Sequence, residues 1–306
     1  MSLPKLCFVG LGVMGLPMAR HLARAGYALN AFDLDSGRSE ALAGEFPGVT
    51  AVASPAEGAA DADIVITMLP NGSVVDAVVT GEGGIASAIR PGALLLDTSS
   101  SEPWLTERTA AALAEKGVAM VDAPVSGAEA GAIAGELIFM VGGAQADVAR
   151  VLPLLEIMGS RNFHLGPLAA GHRMKSLNNL ITSVTFMATT EGLLAGKRAG
   201  LDPDKMIDVL NLSTGGSWVG RTHFQQRIFN RAFDDPFKLG LMVKDIGIAL
   251  RVAEETGLEM PLSELTARLW REIEEMEGTG SSVSRLVSGM EKIAGTELTP
   301  GSSTDG

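Results

Sequence analysis

Glycines 10, 12 and 15 stand in Phe8-Val9-Gly10-Leu11-Gly12-Val13-Met14-Gly15, directly after an apolar run and directly before a segment of helical periodicity. In that context G-x-G-x-x-G is the pattern of a dinucleotide-binding turn. Gly10 permits the tight turn, Gly12 lets the main chain approach a pyrophosphate, and Gly15 allows helix and strand to pack closely. The free N–H groups and dipole at the helix start favour a diphosphate, which places Leu11, Val13 and Met14 beside it too. A second apolar run ends in Asp33, about 20 residues on, where a carboxylate accepts from ribose hydroxyls and repels a 2′-phosphate. NAD is the expected cofactor; Arg38, a cation able to meet such a phosphate, keeps NADP open. Two later strand ends, Met68-Leu69-Pro70 and Asp97-Thr98-Ser99-Ser100, should complete the site, because ligands collect at the carboxyl ends of parallel strands.

A second group of residues suits proton transfer and anion binding. Asp122-Ala123-Pro124-Val125-Ser126-Gly127-Ala128 follows another strand pattern and continues glycine-rich through Gly131 and Gly135 to Gly142-Gly143. Main-chain N–H groups beside the Ser126 hydroxyl form a cradle for a carboxylate. Taken alone, the loop reads equally well as a plain strand-to-turn connection. In Gly171-His172-Arg173-Met174-Lys175-Ser176-Leu177-Asn178-Asn179, Lys175 and Asn179 are four apart and share one face of a helix. A lysine and an amide on an otherwise apolar helix need partners, and burial lowers a lysine pKa towards the range of a general acid or base. A lysine with its stem on apolar surface and its head in water explains Lys175 in isolation.

The elements that must carry these residues fall into two halves. Strand patterns at Leu6–Gly10, Ala28–Asp33, Ile64–Leu69, Leu94–Asp97, Ala119–Asp122 and Leu137–Val141 alternate with helical stretches such as Met14–Arg24, Thr106–Lys116 and Asp147–Ile157. Such alternation implies parallel βαβ units, an α/β, Rossmann-like doubly wound sheet with helices on both faces. After His164 long helical segments take over: Gly171–Arg198, Pro203–Leu212, Leu239–Thr256, Pro261–Glu277 and Val283–Ala294. The first has few charges, which predicts burial on several sides. The expected organisation is a dinucleotide-binding domain over 1–164, an all-α domain over 165–296 joined through the long helix, and a small polar tail over 297–306 expected to be disordered.

Composition narrows the function classes. With 306 residues, 46% of them apolar and 20% charged, the chain is globular and long enough for two cores. A net charge of −12 with no basic stretch argues against nucleic acid as a partner. No apolar run reaches the roughly 18 residues needed to cross a bilayer, and the N-terminus lacks the pattern of a signal peptide. The single cysteine, Cys7, permits no internal disulfide and reads as a small buried hydrophobe, in keeping with the cytoplasm. His21, His164, His172 and His223 show no metal-ligand spacing, so no metal is expected. The sparsely charged long helix predicts a buried interface, hence a homodimer or homotetramer.

Four ordered segments, GLGVMGLPMA at 10–19, DAPVSGAEAGAIAG at 122–135, GHRMKSLNN at 171–179 and KDIGIAL at 244–250, resemble the β-hydroxyacid dehydrogenase family over nearly the whole chain. The resemblance implies hydride transfer between NAD(P) and a small β-hydroxy acid, with the active site in a cleft between a Rossmann-like domain and a helical one. It implies Lys175 as the catalytic lysine; Ser126, Gly127 and Asn179 as substrate-binding positions, with Ala128 in the same cradle; Lys244 near the cofactor; and Asp245 as structural support. Asn211-Leu212-Ser213-Thr214-Gly215-Gly216-Ser217-Trp218 resembles a substrate-pocket loop, in which Trp218 either walls the pocket or packs between helices.

The chain also departs from the family. Glycine usually stands where Ala128 does, and often where Ala169 does, so Ala128 adds a methyl group beside the carboxylate cradle. The related 6-phosphogluconate dehydrogenases carry histidine where Asn178 stands, and imine-reducing relatives replace the lysine. Reduction of tartronate semialdehyde or another short semialdehyde is the alternative within the family. Outside it, the alternative is a non-catalytic dinucleotide-binding module, which would not need to keep Lys175.

Overall fold

The computed structural model describes residues 3–299. The chain divides after Lys175 into two compact units. The sequence places the division near residue 165; the difference arises because the first turns of the long helix are bonded to the strand-bearing unit.

The first unit runs β1 (Leu6–Val9), α1 (Gly15–Arg24), β2 (Leu29–Phe32), α2 (Ser36–Glu45), β3 (Val49–Ala51), α3 (Pro55–Ala59), β4 (Ile64–Thr67), α4 (Gly72–Thr80), β5 (Leu94–Asp97), α5 (Pro103–Ala114), β6 (Ala119–Asp122), β7 (Val125–Ser126), α6 (Ala128–Ala134), β8 (Leu137–Gly142), α7 (Gln145–Met158) and β9 (Gly159–Gly166). The sheet order is β3-β2-β1-β4-β5-β6-β8-β7, with β9 on β8. Strands β1 to β6 pair in parallel, as strand–helix alternation dictates, whereas β8 runs antiparallel to β6 and β7. The order reverses between β1 and β4, which creates the crevice at the carboxyl ends where nucleotides bind in such sheets.

Both faces of this sheet are covered, so its strands read as continuous apolar runs. Leu6, Phe8, Ile66, Leu94 and Leu96 enter one core; Cys7, Val9, Val65 and Leu95 enter the other. The Cys7 thiol is pushed up to about 12, by burial first and by the charge of Asp61 second. It is a core filler with no thiolate at neutral pH.

The sequence pattern does not disclose α6 and β9, nor the short strands β3 and β7. The stretch after Gly127 is the helix α6, because glycines at both ends, Gly127 at φ +132 and Gly135 at φ +70, turn the chain in and out of an alanine-rich segment. β9 is an exposed edge strand of mostly polar residues, so it lacks an apolar signal.

The long helix α8 (Ala170–Arg198) leads into the second unit, which adds α9 (Pro203–Leu212), α10 (Trp218–Thr222), α11 (Leu239–Glu255), α12 (Pro261–Glu277) and α13 (Arg285–Ala294). Gly200 at φ +87 ends α8, and Asp202 with Pro203 starts α9 by accepting the Asp204 N–H. Within the single chain, α8 buries one stripe rather than several sides. Leu180, Ser183, Phe186, Met187, Thr190, Leu193 and Leu194 recur at three- and four-residue spacing and are buried, while Ile181 is 62% exposed. Its hydroxyls bond back along the helix, Thr182 to the Asn178 carbonyl and Thr190 to that of Phe186, so those hydroxyls need no outside partner. Phe186 centres the core, meeting the rings of His223, Phe224 and Trp270 edge-on at centroid distances of 5.4, 5.9 and 6.4 Å.

The segment expected to be a loose tail from 297 begins tied down. Leu298 is fully buried with its N–H on Glu291 at 2.7 Å, and Lys197 donates to the Thr299 carbonyl. Residues 300–306 of that expected tail lie outside the described residues.

Candidate active site and cofactor cradle

At the end of β1 the three glycines do different things. Gly10 adopts φ +99, and a Cβ there would lie 2.3 Å from the Met68 carbonyl oxygen; one on Gly15 would lie 1.9 Å from the Gly10 carbonyl. Both positions are closed by the chain itself. Gly12 is open: a Cβ there would have only Arg38 Nη1 near it, at 3.9 Å. The space before Gly12 is what a side chain would take from a ligand. No side chain caps the N-terminus of α1; the Leu16 N–H bonds the Gly12 carbonyl, so donors for an anion come from the glycine turn that precedes the helix.

Asp33 is fixed from two sides. Its Oδ2 accepts the Leu11 N–H at 2.7 Å and its Oδ1 accepts the Asp35 N–H at 2.9 Å. Each oxygen keeps a lone pair for a ribose hydroxyl. Arg38 lies 3.8 Å from Asp33 and 3.3 Å from Asp35, so its charge offsets part of the repulsion that Asp33 would exert on a 2′-phosphate. The Leu11 side chain is buried, whereas Val13 is exposed and Met14 half-buried.

The neighbouring strand ends close the crevice. The Met68 N–H bonds the Val9 carbonyl and the Leu69 N–H bonds Ser99 Oγ; Pro70 is exposed and Ser100 half-buried. Asp97 turns inward instead, accepting from Thr67 Oγ1 at 2.8 Å, the Ser99 N–H at 3.0 Å and Ser101 Oγ at 2.7 Å. It clips the ends of β4 and β5 together. The open space at Gly12, the uncapped helix start and the spare acceptors of Asp33 together fit a dinucleotide.

Ser126 ends β7, half-buried and paired with Ile138. Gly127 and Ala128 follow, both exposed and both at positive φ, +132 and +53. Ala128 therefore holds a conformation that glycine adopts without strain. Ala169, the other position where the family favours glycine, is also left-handed, at φ +70. Lys175 is half-buried in the second turn of α8.

In the second unit Asn179 is buried and its amide donates to Asp245 Oδ2 at 2.6 Å, while its own Oδ1 accepts from Asn178 at 3.1 Å. The other oxygen of Asp245 lies 3.2 Å from Lys244 Nζ. Asp245 is thus a buried carboxylate that holds both an amide and an ammonium in place. Trp218 begins α10, 54% exposed, with its ring edge-on to His223 at 5.1 Å.

Sequence reasoning did not find the polar cluster in the first unit around His172. This imidazole is fully buried, with Nδ1 at 2.7 Å from Thr106 Oγ1 and Nε2 at 3.1 Å from the Ser99 carbonyl oxygen. Asp97 and Asp122 stand 3.6 and 3.7 Å from its two nitrogens. Asp122 accepts the N–H groups of Ala169 and His172. The available signal was an acid and a histidine inside otherwise apolar segments, which only partners distant in sequence explain. Among the described residues no group of three His, Cys, Asp or Glu side chains is assembled that could hold a metal ion. No helix among them is long and apolar enough to cross a membrane.

Comparison with known proteins agrees with this arrangement. The family model for the NAD binding domain of 6-phosphogluconate dehydrogenase matches residues 5–166. The model for the NAD-binding region of NADP-dependent 3-hydroxyisobutyrate dehydrogenase matches residues 169–289. The chain is 33% identical to 2-(hydroxymethyl)glutarate dehydrogenase of Eubacterium barkeri, over 97% of this chain and 98% of that one. It is 36% identical to the NAD-dependent L-serine dehydrogenase of Pseudomonas aeruginosa, over 87% and 91%. The structure of Mycobacterium tuberculosis 3-hydroxyisobutyrate dehydrogenase with L-serine superposes with a TM-score of 0.84 at 31% identity, covering 94% of this chain and 99% of that one. Both units match in order and the relatives align over nearly their full length, so the chain belongs to the β-hydroxyacid dehydrogenase family of NAD(P)-binding oxidoreductases.

Proposed function

We propose that this enzyme oxidises the primary alcohol of a 2-substituted 3-hydroxypropanoate, HOCH2–CHR–COO−, to the semialdehyde, with NAD preferred over NADP. The three relatives above are named for 2-(hydroxymethyl)glutarate, L-serine and 3-hydroxyisobutyrate, and each of these carries CH2OH on the carbon next to a carboxylate. The observation that carries the reading is Lys175 itself, half-buried on a helix whose first turn is anchored, with Asn179 one turn further on the same face.

A bound nicotinamide supplies the acceptor for the carbinol hydride. Neutral Lys175 takes the hydroxyl proton as the C–H bond breaks, so the alcohol loses a hydride and a proton and leaves as an aldehyde. In the reverse direction the ammonium of Lys175 returns that proton to the alkoxide oxygen, and the same residues reduce a semialdehyde. The Ser126 hydroxyl and the N–H groups of Gly127 and Ala128 hold the substrate carboxylate and set its orientation. On the second unit, Asn179 and Lys244, each paired to one oxygen of Asp245, are the proposed substrate- and cofactor-binding side chains. Trp218 walls the side that R occupies. NAD is preferred because Asp33 takes the ribose hydroxyls. The enzyme works in the cytoplasm as a homodimer or homotetramer, with the exposed side of α8 around Ile181 covered by a second copy.

A panel of hydroxy acids and their semialdehydes, followed by reduced-nicotinamide absorbance with both cofactors, tests this reading. Turnover of 3-hydroxypropanoates with small R, and none of the matching amides, is the expected result. Silence across the panel with both cofactors would leave only a dinucleotide-binding module.

A further inference from the structure

We infer that Asp122 is a positioning residue for Lys175: its buried carboxylate caps the start of α8 and, with His172 and Thr106, sets where the lysine stands. This rests on the reading of Lys175 as the proton-transfer group. The helix begins at Ala170, and its first N–H groups have no partner within the helix. Ordinarily a side chain just before the helix caps them, but here the residue before it is Ala169, which has no acceptor. Asp122, at the end of β6, supplies acceptors to two N–H groups 47 and 50 residues away, while the Ala170 N–H bonds the Pro167 carbonyl. Oδ1 takes the Ala169 N–H at 2.7 Å and Oδ2 takes the His172 N–H at 2.8 Å. The capping box, normally made by two side chains of the helix itself, is made here by one carboxylate of the sheet.

The chain around this carboxylate is shaped to admit it. A Cβ on Gly142 would lie 2.4 Å from Asp122 Oδ1, and one on Gly171 would lie 2.8 Å from Oδ2. Ala169 is held at φ +70, a left-handed conformation, while its N–H bonds the carboxylate. Two glycines and one strained alanine therefore converge on a single side chain. Burial raises the pKa of Asp122, and the Asp97 charge adds to that; the charge of His172 and the two amides oppose it. A carboxylate is retained in a place where burial is costly, which an apolar residue would avoid.

The next residues of the helix are fastened to α5 in register. His172 meets Thr106, and Arg173 pairs with Glu107 at 2.6 Å. Nε2 of His172 faces the Ser99 carbonyl and Nδ1 faces the Thr106 hydroxyl, so the ring is held at both edges. Lys175 follows three residues later, about 4.5 Å along the axis at 1.5 Å per residue. The first turn of a helix frays when uncapped, and a lysine in the second turn moves with it. A displacement of about 1 Å at a reacting group costs on the order of a hundredfold in rate.

Asp122→Asn keeps the shape but replaces one acceptor with a donor. Turnover should be expressed per NADH-binding site, with sites counted by fluorescence titration, so that misfolded protein does not enter. The expected result is a kcat per site lower by about tenfold or more, with the KM for cofactor within about twofold of wild type. Loss of structure alone would reduce the number of sites and leave kcat per site unchanged. A kcat per site within twofold of wild type overturns the inference. If Asp122→Asn binds no NADH, Thr106→Val, which removes the partner of His172 together with a bond back to the Glu102 carbonyl within α5, decides instead. A kcat per site reduced at least about threefold supports the inference, and a smaller change overturns it. Lys175→Ala measured alongside separates the two readings. An inactive Lys175→Ala with an unimpaired Asp122→Asn refutes only the positioning role, whereas a fully active Lys175→Ala refutes the role of the lysine itself.

Discussion

Asp33 accepts the main-chain N–H of Leu11 at 2.7 Å, so the carboxylate at the end of β2 and the glycine turn at the end of β1 form one hydrogen-bonded unit. The same side chain that would take the ribose hydroxyls also sets the turn that receives the diphosphate. Arg38 stands 3.8 Å from Asp33, a cation able to meet a 2′-phosphate. Asp33→Asn should raise the KM for NAD about tenfold and shift the NADP-to-NAD ratio of kcat/KM towards NADP by at least that factor. Adding Arg38→Ala should remove most of the gain with NADP. Initial rates with both cofactors measure this, and an unchanged ratio would count against Asp33 as the discriminating residue.

Ala128 holds φ +53 at an exposed site, a conformation that costs an L residue roughly 1 kcal/mol. Its methyl packs against little, so Ala128→Gly relieves strain without opening a cavity. The greater freedom of glycine in the unfolded chain offsets part of the gain. A net stabilisation of about 0.5 kcal/mol is expected, a Tm rise of about 1 to 2 °C. Because Ala128 also borders the proposed carboxylate cradle, the variant should accept substrates with larger R. Calorimetry and the substrate panel read the two effects; a fall in Tm would show that the left-handed position is not strained.

The second unit carries an acid-sensitive pair. Asp235 Oδ2 lies 3.0 Å from Nε2 of His223. Burial pushes the Asp235 carboxyl up, but the hydrogen bond from His223, the Phe237 N–H and the charges of His223 and Arg227 outweigh it, and the folded pKa lies below the usual carboxylate value. The unfolded chain then binds the proton more tightly, so the stabilisation is present above the unfolded value of about 3.9 and is lost as the pH falls through the folded one. Asp235→Asn should be less stable than wild type at pH near 6, and the gap should close as the pH falls below the usual carboxylate range. Urea midpoints across that range report it. A gap independent of pH would assign the effect to packing rather than to charge.

What the sequence discloses here depends on how local the constraint is. Gly10, Gly12, Gly15 and Asp33 are legible because a tight turn, a close approach and a strand-end acid are each written within a few residues. The parallel core strands are legible for the same reason, since burial on both faces forces apolar runs. α6 is hidden because the glycines that bracket it look like a loop, and β9 because an exposed edge strand needs no apolar residues. Few charges on α8 predict cover on several sides; within the single chain one stripe is covered, its hydroxyls are satisfied along the helix, and Ile181 faces outward. The His172 cluster draws on β5, α5, β6 and α8, with partners 47 to 75 residues apart, and no window of sequence contains it.

The account stands on Lys175, and the most direct measurement is the kcat of Lys175→Ala with a substrate identified from the panel, beside the Kd of NADH for the same protein. General acid–base catalysis contributes on the order of 10² to 10⁴ in rate, so kcat should fall by at least a hundredfold while the Kd stays within about twofold of wild type. Near-normal turnover in that variant would contradict the proposed chemistry.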